Sequence, residues 1–504
     1  MGQDVSEITK LRRTVFNKLS KLAFNGKLRE KINNLPKEII PDEGLNYRCC
    51  VHKERAIVND RIKSALGLPP NGEVENLSQL VDKALTNQQD LSPVVNILEI
   101  ACDRCPVDKY KVSEACRNCV DHNCMHVCPQ EAIIIVGSQA YIDQEKCIEC
   151  GLCKKACPYN AIVESNRPCV LACETDAIKA DNNRQADIDY EHCVSCGNCI
   201  QACPFGAITY KAQLIQVIEM LKTKETIAVL APSFVGQFGL EVTSAQIKKG
   251  LKKLNFDQIR EVALGADIVA IEEAKEVADK VPDEQDYLTT SCCPAFLTLI
   301  KQEYPELLTN VSTTVSPMVA IAKVLKAENP EAKLVFIGPC LAKKGEALGQ
   351  EEIDAVLTFE ELGSLFVGAG INLVDIETNN EFEEASDFGR TFARSGGLVK
   401  AVSGSLDQLD SEIEINTIKA EGIAECIKTL KLAKANQYEN YFIEGMGCSG
   451  GCVGGYGTLM NSDIITEQVN DFGSQAEVET ALDNIKAQKL LNELGSKEFH
   501  REEE

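Results

Sequence analysis

The chain has 504 residues, of which 25% are charged, and its formal net charge is -24. This length allows several domains, and the acidic charge disfavours nucleic acid as a partner, because phosphate binding needs a concentrated positive field. No run of about 18 apolar residues occurs, so we expect no membrane span. Twenty-four cysteines without an apolar leader indicate metal ligands in a reducing compartment, which we predict to be the cytoplasm.

The N-terminal region is predicted to be mainly helical. Apolar residues from Ile8 to Leu22 keep a helical spacing, and residues 77–100 are predicted to be helical with a break near Pro93. Residues 1–63 carry 14 Lys and Arg against 8 Asp and Glu. The first helix therefore either packs on the body with a solvated basic face or offers a docking patch to an acidic electron carrier.

An internal repeat fills the cysteine-dense region that follows. Its four copies share the pattern C-x3-C-x3-A-I. Two copies have the complete C-x2-C-x2-C-x3-C-P spacing, which is typical of bacterial ferredoxins and predicts two 4Fe-4S clusters. A zinc site would explain neither the proline nor the repeat. The cysteines of the two complete runs are Cys147, Cys150, Cys153, Cys157, Cys193, Cys196, Cys199 and Cys203.

The remaining cysteines of this region leave the number of clusters open. In a ferredoxin run the fourth cysteine serves the neighbouring cluster, so we expect Cys203 to join Cys147, Cys150 and Cys153, and Cys157 to join the other complete run. Eight further thiols hold either two more cubanes, or one cluster or a zinc ion with leftover buried cysteines. They are Cys102, Cys105, Cys116, Cys119, Cys124, Cys128, Cys169 and Cys173.

From about residue 225, apolar strands alternate with helices. Strands are predicted at 226–230, 259–263 and 334–337, and helices at 243–254 and 270–280. This alternation predicts an α/β core. The last forty residues predict a closing helix and a charged tail.

Three cysteine motifs lie in this α/β region: TSCCP at 290–294, PCLAK at 339–343 and EGMGCSGGC at 444–452. Thiolates from such distant segments can share one cluster only inside a folded core, where the protein controls solvent, protons and charge. Soft sulfur ligands suit low-potential iron, and the glycines of the third motif let the backbone approach a cluster closely. The motifs therefore indicate a buried, catalytic iron–sulfur cluster.

These motifs, in order and nearly in spacing, resemble the signatures of the FeFe-hydrogenases over roughly residues 100–460. The resemblance implies interconversion of protons and electrons with dihydrogen at a 4Fe-4S cubane bridged to a di-iron unit with CO, CN and dithiolate ligands. It implies ferredoxin or a similar small carrier as electron partner, and maturation enzymes that install the di-iron unit. The implied cubane ligands are Cys293, Cys340, Cys448 and Cys452, with Cys452 as the bridge.

By this resemblance the chain is a multidomain α+β protein whose catalytic domain has two α/β lobes with the active-site cluster between them. The regions are a mainly helical N-terminal region at 1–100, a ferredoxin-like region with two to four 4Fe-4S clusters at 101–212, the catalytic domain at 213–460, and a C-terminal helix and tail at 461–504.

Further roles follow from the same resemblance. Cys292 would pass a proton to the di-iron unit, and Glu276, Ser312 and Glu273 would relay it from solvent, since buried carboxylates can be tuned for such transfers. A solvated acidic helix face is the alternative for the two glutamates. Groups that would contact the di-iron unit are Pro232, Ser233, Lys343 and Met446, with Glu346 as a structural partner.

Three positions depart from the family pattern. Phe296 stands where tryptophan is usual, Gly338 replaces a methionine ahead of the second-motif cysteine, and residues 454–457 break a glycine triplet. Changes around a cluster shift its potential, catalytic bias and oxygen tolerance without removing a ligand. The resemblance is therefore to a divergent, monomer-type branch.

Two other function classes share this composition. A hydrogenase-like iron–sulfur assembly protein carries clusters without a di-iron unit, and a hydrogen sensor usually carries a signalling domain. Intact Cys292 and Lys343 argue against the first class, and no signalling domain is recognisable. Outside the motifs, Cys49 and Cys50 are either a redox-sensitive pair or simply packed, and Cys426 is predicted to be a buried core thiol.

Overall fold

The structure is a computed structural model that describes residues 5–43, 47–72, 76–86, 91–106, 108–181, 185–378, 385–409 and 414–501. The predicted multidomain α+β fold is confirmed: a helical N-terminal region and two ferredoxin-like units precede an α/β body with two parallel sheets. None of the described helices is both long and apolar enough to cross a membrane.

The N-terminal region is helical because its apolar residues recur every three or four positions, which lets each helix bury one stripe. The first helix begins after Ser6, whose side chain accepts the N–H of Thr9, and it buries Val15 and Leu19. The helices of this region are α1 (Glu7–Phe24), α2 (Leu28–Lys31), α3 (Leu35–Ile39), α4 (Val51–Ala65) and α5 (Leu77–Thr86).

The helix predicted over 77–100 is wrong in its second half. Residues 87–90 lie outside the described residues, and strand β1 (Val95–Ile97) pairs antiparallel with residues 208–210. Pro93 removes a helical hydrogen-bond donor, and β-branched residues favour an extended backbone. All three strand residues are buried, so packing in a sheet determines the extended conformation of this segment.

Two ferredoxin-like units follow, with short strands and helices around the cysteine runs. Their elements are β2 (Tyr110–Val112), α6 (Asn123–His126), β3 (Ile133–Val136), β4 (Gln139–Ile142), α7 (Leu152–Ala156), β5 (Ile162–Glu164), α8 (Pro168–Leu171), β6 (Ile178–Ala180), β7 (Ala186–Ile188), α9 (Asn198–Ala202) and β8 (Ile208–Tyr210).

One of these units is inserted into the other. In the outer unit β1 pairs with β8 and encloses the hairpin β6–β7, and in the inner unit β2 pairs with β5 and encloses the hairpin β3–β4. The inner unit lies between Cys105 and Cys169 in the chain. Each unit therefore has the same strand plan, but the outer unit is interrupted in sequence.

The α/β body begins after the outer unit closes. Its elements are α10 (Leu214–Thr223), β9 (Thr226–Leu230), α11 (Ser244–Lys253), β10 (Gln258–Glu261), α12 (Val262–Lys280), β11 (Tyr287–Thr289), α13 (Pro294–Glu303), α14 (Pro317–Glu328), β12 (Lys333–Ile337), α15 (Ala342–Leu348), β13 (Ala355–Leu357), α16 (Phe359–Ala369), α17 (Asp387–Thr391), α18 (Gly397–Gln408), β14 (Asn416–Glu421), α19 (Ile423–Lys434), β15 (Tyr441–Met446), α20 (Ser462–Gly473) and α21 (Ile485–Leu494).

Two parallel sheets organise the body. The first has the strand order β10-β9-β12-β13 and the second has the order β11-β15-β14, with every neighbouring pair parallel. Several strands are buried along their whole length, as parallel strands covered on both faces must be. Since the carboxyl ends of parallel strands share one edge, the loops after β9, β11, β12 and β15 can build a common site.

Most predicted elements of the body are confirmed, and one boundary is wrong. The strand predicted at 259–263 ends at Glu261, because α12 begins at Val262 instead of at residue 270. Nearly all of the first half of α12 is buried. An apolar run that is buried on every side shows no periodicity that separates helix from strand.

Helix α1 packs on α16 of the body. An added Cβ at Gly368 would lie 2.5 Å from the side chain of Ser20, so the two backbones approach closely. Arg12 and Arg13 donate to the carboxylate of Glu360 at 2.6 and 2.9 Å, and the Glu360 side chain is only 4% exposed. The interpretation of a first helix packed on the body is confirmed.

We predict that Glu360→Ala destabilises the protein by about 2–4 kcal/mol, because it leaves two partly buried guanidinium groups without their carboxylate. The midpoint of urea denaturation measures this effect. Glu38→Ala is the matched control, since the pair between Glu38 and Lys18 is largely exposed and should contribute less than about 1 kcal/mol. Equal shifts in the two variants would contradict the prediction.

Candidate active site

The three cysteine motifs meet around one cavity between the two sheets. Strand β11 leads into Cys292 and Cys293, β12 leads into Cys340, and β15 leads into Cys448 and Cys452. All five cysteines line this cavity. The carboxyl ends of strands from both sheets thus bring distant thiols together.

Burial dominates the chemistry of these thiols. Burial, with added repulsion from neighbouring thiols, raises the pKa of Cys340 and of Cys452 to about 12, and it raises the pKa of Cys448 well above its ordinary value. Several thiolates so close together are stable only when a metal centre offsets their charge. The donor set therefore fits an iron–sulfur cluster.

The third motif needs its glycines. Gly450 and Gly451 have φ values of 79° and 85°, in the left-handed region that favours glycine. An added Cβ at Gly451 would also lie 2.7 Å from the backbone nitrogen of Ser395. The backbone N–H of Gly447 donates to the Cys293 sulfur at 3.3 Å. Glycine thus allows both the tight turn and the close approach of backbone to sulfur.

Apolar side chains complete the cavity wall. Met446, a predicted site residue, lies on it, together with Met318 and Phe336, which the sequence analysis missed. An added Cβ at Gly338 would lie 2.7 Å from the Phe336 ring. The ring therefore fills space that a longer residue at position 338 would need. No motif marks Met318, whereas the place of Phe336 in the strand before the second motif could have suggested it.

Two donors lie beside the cavity at predicted positions. The Lys343 amine donates to the backbone oxygen of Cys292 at 3.2 Å and to Glu346 at 2.6 Å. Burial works against its charge, but the Glu346 carboxylate outweighs burial and raises the pKa of Lys343, which keeps it cationic. Pro232 lines the wall, and the buried hydroxyl of Ser233 has no partner among the described residues. Ser233 follows Pro232 but is not among the residues that line the cavity, so its role as a donor to a bound group stays a prediction.

A line of hydrogen bonds joins two glutamates of α12 behind Cys292. Ser312 donates to Glu276 at 2.7 Å, its oxygen lies 2.8 Å from the Thr314 hydroxyl, and Thr314 donates to Glu273 at 3.1 Å. Both glutamates are buried, at 0% exposure for Glu273 and 6% for Glu276, so the alternative of a solvated helix face is wrong. The sequence analysis missed Thr314, because nothing distinguishes it from its neighbouring hydroxyl residues.

The two glutamates hold different protonation states. Burial, and then the charge of Glu276, raises the pKa of Glu273 to about 8. Burial acts on Glu276 as well, but hydrogen bonds from Lys280 and Ser312 outweigh it and lower the pKa of Glu276. Burial and the nearby Glu273 raise the pKa of the Cys292 thiol well above its ordinary value. At neutral pH a proton is therefore held on Glu273 and on Cys292 but not on Glu276.

Thiols of the inner ferredoxin-like unit form two groups. Cys128 lines a small cavity with Cys147, Cys150 and Cys153. Burial raises the pKa of Cys124, and the thiols of Cys119 and Cys157 raise it further, which identifies them as its neighbours. Cys116 packs in the same small core.

Thiols of the outer unit form two more groups. Burial raises the pKa of Cys199, and its neighbours Cys196, Cys193 and Cys173 add to the effect. Burial raises the pKa of Cys169 to about 11, again with nearby thiols contributing; these are Cys203, Cys105 and Cys102.

The predicted exchange of fourth cysteines between the two complete runs is wrong. Cys128, not Cys203, joins the group of Cys147, and Cys173, not Cys157, joins the group of Cys193. The two runs belong to different units, and each exchanges its fourth thiol within its own unit. Within the described ranges, no three His, Cys, Asp or Glu side chains are placed to bind one metal ion together. A 4Fe-4S cluster does not require this, because each thiolate binds a different iron atom.

One thiol group of the outer unit adjoins the catalytic cavity. An added Cβ at Gly197 would lie 3.0 Å from the side chain of Leu341, the residue after Cys340. The Cys196 thiol is near enough to Cys448 to contribute to its raised pKa. The group that contains Cys196 therefore lies between the cavity and the rest of the ferredoxin-like region.

Three cysteines stand outside these groups. Cys426 is fully buried, and its thiol faces the backbone oxygens of Ala420 and Met446, so the predicted core thiol is confirmed. The Cys49 thiol donates to the Cys50 sulfur at 3.8 Å, and no disulfide joins the two.

Comparisons with known proteins agree with this geometry. The family described as "Iron only hydrogenase large subunit, C-terminal domain" matches residues 224–456, and the "4Fe-4S binding domain" matches residues 140–163 and 186–209. Iron hydrogenase 1 of Clostridium pasteurianum is 30% identical over 377 residues, which are 63% of this chain and 64% of that protein. The periplasmic [Fe] hydrogenase large subunit of Nitratidesulfovibrio vulgaris is 30% identical over 374 residues, covering 63% of this chain and 85% of that one.

A solved FeFe-hydrogenase structure from Chlamydomonas reinhardtii aligns with a TM-score of 0.45 and 19% identity, and it covers 57% of this chain and 97% of that one. The fold and the cysteine groups define an iron–sulfur protein. The chain belongs to the iron-only hydrogenase family. This membership, with the 4Fe-4S match, supports iron–sulfur clusters in the chain. The chain spans less than two thirds of the Clostridium protein.

We predict that the double variant Cys147→Ala/Cys128→Ala loses no more iron than either single variant, about four irons per chain, because both thiols serve one cubane. Cys147→Ala/Cys203→Ala should lose about twice as much, since it affects two cubanes. Iron analysis of the purified variants measures both. The reverse order of losses would restore the pairing expected from sequence spacing.

We predict that Glu273→Gln makes the protein more resistant to unfolding at pH 8 than the parent chain, with a smaller difference at pH 5. The folded-state pKa of about 8 lies above the ordinary 4.5, so the stability that a protonated Glu273 gives is present below pH 4.5 and is lost as the pH rises towards 8, by at most about 5 kcal/mol. Urea midpoints of both proteins at the two pH values test this. The control is Glu38→Gln, an exposed glutamate, and equal differences at both pH values would contradict the prediction.

Proposed function

We propose that the protein is an FeFe-hydrogenase that reversibly interconverts protons plus electrons and dihydrogen. One observation carries the proposal: five cysteines and the cationic Lys343 line one buried, mostly apolar cavity, and a hydrogen-bonded line of carboxyl and hydroxyl groups lies behind Cys292. An apolar, buried site with a few placed polar groups is typical of catalytic pockets.

The residues that would hold the active-site group are those of the three motifs. Cys293, Cys340, Cys448 and Cys452 would bind a 4Fe-4S cubane, with Cys452 bridging it to a di-iron unit that carries CO, CN and dithiolate ligands. When bound, this group supplies the metal site at which dihydrogen forms or is split. The charged amine of Lys343 and the unpaired hydroxyl of Ser233 would donate to its anionic ligands, and Pro232 and Met446 would pack against it and exclude water.

The protein's own groups would carry the proton. Cys292, with a raised pKa, holds a proton at its sulfur on the cavity wall. Glu273 holds a second proton near neutral pH, and Glu276 is ionised and can accept one. Hydroxyl groups of Ser312 and Thr314 connect the two carboxyls, so a proton taken up at Glu276 has a hydrogen-bonded route to Glu273. The second Glu273 oxygen has no hydrogen-bond partner among the described residues, and Glu273 is near enough to Cys292 to raise the pKa of that thiol.

Electrons would reach the cavity through the ferredoxin-like units. The four thiol groups would hold four 4Fe-4S clusters, and the group with Cys173 and Cys196 would be the last before the active site. Cys150 of the inner unit is exposed, which makes this unit the natural entry for electrons from ferredoxin or a similar small carrier. Dedicated maturation enzymes would install the di-iron unit.

We predict that protein matured with the di-iron unit shows infrared bands of bound CO and CN and evolves hydrogen from reduced ferredoxin. Cys292→Ala should keep the bands and lose at least about 99% of the turnover, because the proton carrier beside the site is missing. Cys426→Ala, a change at a buried thiol outside the cavity, is the control and should retain most activity. Absence of the bands would favour an assembly protein, and bands without turnover would favour a sensor.

A further inference from the structure

The last described residues fold back onto the proton line. The Val315 N–H donates to the backbone oxygen of Phe499 at 2.8 Å, and the Arg501 N–H donates to that of Thr313 at 2.7 Å. Phe499 is fully buried. Backbone pairing on both sides and a buried aromatic anchor therefore fix the position of His500 between them.

The His500 side chain joins the line to solvent. Its Nδ1 lies 2.7 Å from the Thr313 hydroxyl, and that hydroxyl donates to Glu276 at 3.0 Å. The His500 side chain is 26% exposed, whereas that of Glu276 is 5% exposed. One hydroxyl group thus separates a solvent-accessible imidazole from the outer carboxylate of the line.

A second carboxylate orients the imidazole. Its Nε2 lies 3.2 Å from Glu272, which also accepts hydrogen bonds from Lys275 and Ser496. Burial works to raise the pKa of Glu272, but these hydrogen bonds lower it to about 2. A carboxylate at one ring nitrogen fixes the orientation of the ring and holds the other nitrogen towards Thr313.

We propose that His500 is the surface proton-transfer residue of the proton line, an inference that rests on the proposed function. The imidazolium form of His500 gives its Nδ1 proton to the Thr313 oxygen, and Thr313 passes its own hydroxyl proton to Glu276. The neutral ring keeps its Nε2 proton, swings towards solvent and takes a new proton at Nδ1 from a hydronium ion or a buffer acid. The ring and the Thr313 hydroxyl then return to their first orientations. Release of a proton follows the same steps in reverse.

Lys280 is the competing entry point, because its amine also donates to Glu276, at 2.8 Å, and is 27% exposed. An ammonium group is a poor shuttle near neutral pH, since it gives up its proton only at high pH. An imidazole exchanges protons in the physiological range. The chemistry of the two side chains therefore favours His500.

The test measures proton exchange in the protein without its di-iron unit. On transfer to D2O near pH 7, the infrared carbonyl band of protonated Glu273 shifts as the proton exchanges, and its loss in Glu273→Gln assigns the band. His500→Gln should slow this exchange at least about tenfold, and imidazole added to the buffer should restore it. Thr313→Val should slow it too, but without rescue by imidazole, because the hydroxyl link is gone.

His192→Gln, at a half-exposed histidine paired with Asp189, is the matched control and should leave the rate unchanged. An unchanged rate in His500→Gln, a similar slowing in the control, or slowing that imidazole does not rescue would overturn the proposal, the last outcome by assigning His500 a purely structural role. Because the readout needs no turnover, failure of this inference is distinguishable from failure of the proposed hydrogenase activity.

Discussion

The structure depends on one electrostatic constraint: thiolates must be gathered where water is excluded. Each cysteine of the catalytic cavity is unfavourable as a buried anion, as the raised pKa values of Cys340, Cys448 and Cys452 express. The Lys343 ammonium offsets a small part of this charge, and a metal cluster would offset the rest. The two parallel sheets meet the constraint because the carboxyl ends of their strands face one point, so that loops anchored on those strand ends set the positions of the sulfurs.

The sequence predicted which residues form the sites better than it predicted which cysteines of the ferredoxin-like units lie together. The family resemblance identified Lys343 and the two buried glutamates. Motif spacing identified the cavity cysteines, because these residues lie next to strand ends, where local geometry decides what meets. It failed for the fourth cysteines of the ferredoxin runs. Spacing along the chain says which thiols share a turn, but the partner across the unit depends on which strands pair, and that is a tertiary property.

Other misses have a similar origin. Thr314, Phe336 and His500 acquire their places through contacts between distant segments, and none carries a motif. The segment around Val95 was predicted as helix because its strand partner lies more than a hundred residues later. Phe296 and Gly338, noted as departures, are explained by neighbours: an added Cβ at Gly445 would lie 2.3 Å from the Phe296 ring, and Phe336 occupies the space beside Gly338.

Under the proposed assignment of one cluster to each thiol group, the insertion of one ferredoxin-like unit into the other sets an order on cluster assembly during synthesis. The two inner thiol groups are complete once Cys157 has been made. Cys102 and Cys105 are made earlier, but their group waits for Cys169 and finally Cys203. Because domains fold as their chains emerge, the inner unit can take up iron while the first two thiols of the outer unit are still unpaired. Those two early thiols are consequently the ones exposed longest to oxidation or to the wrong metal before their cluster is built.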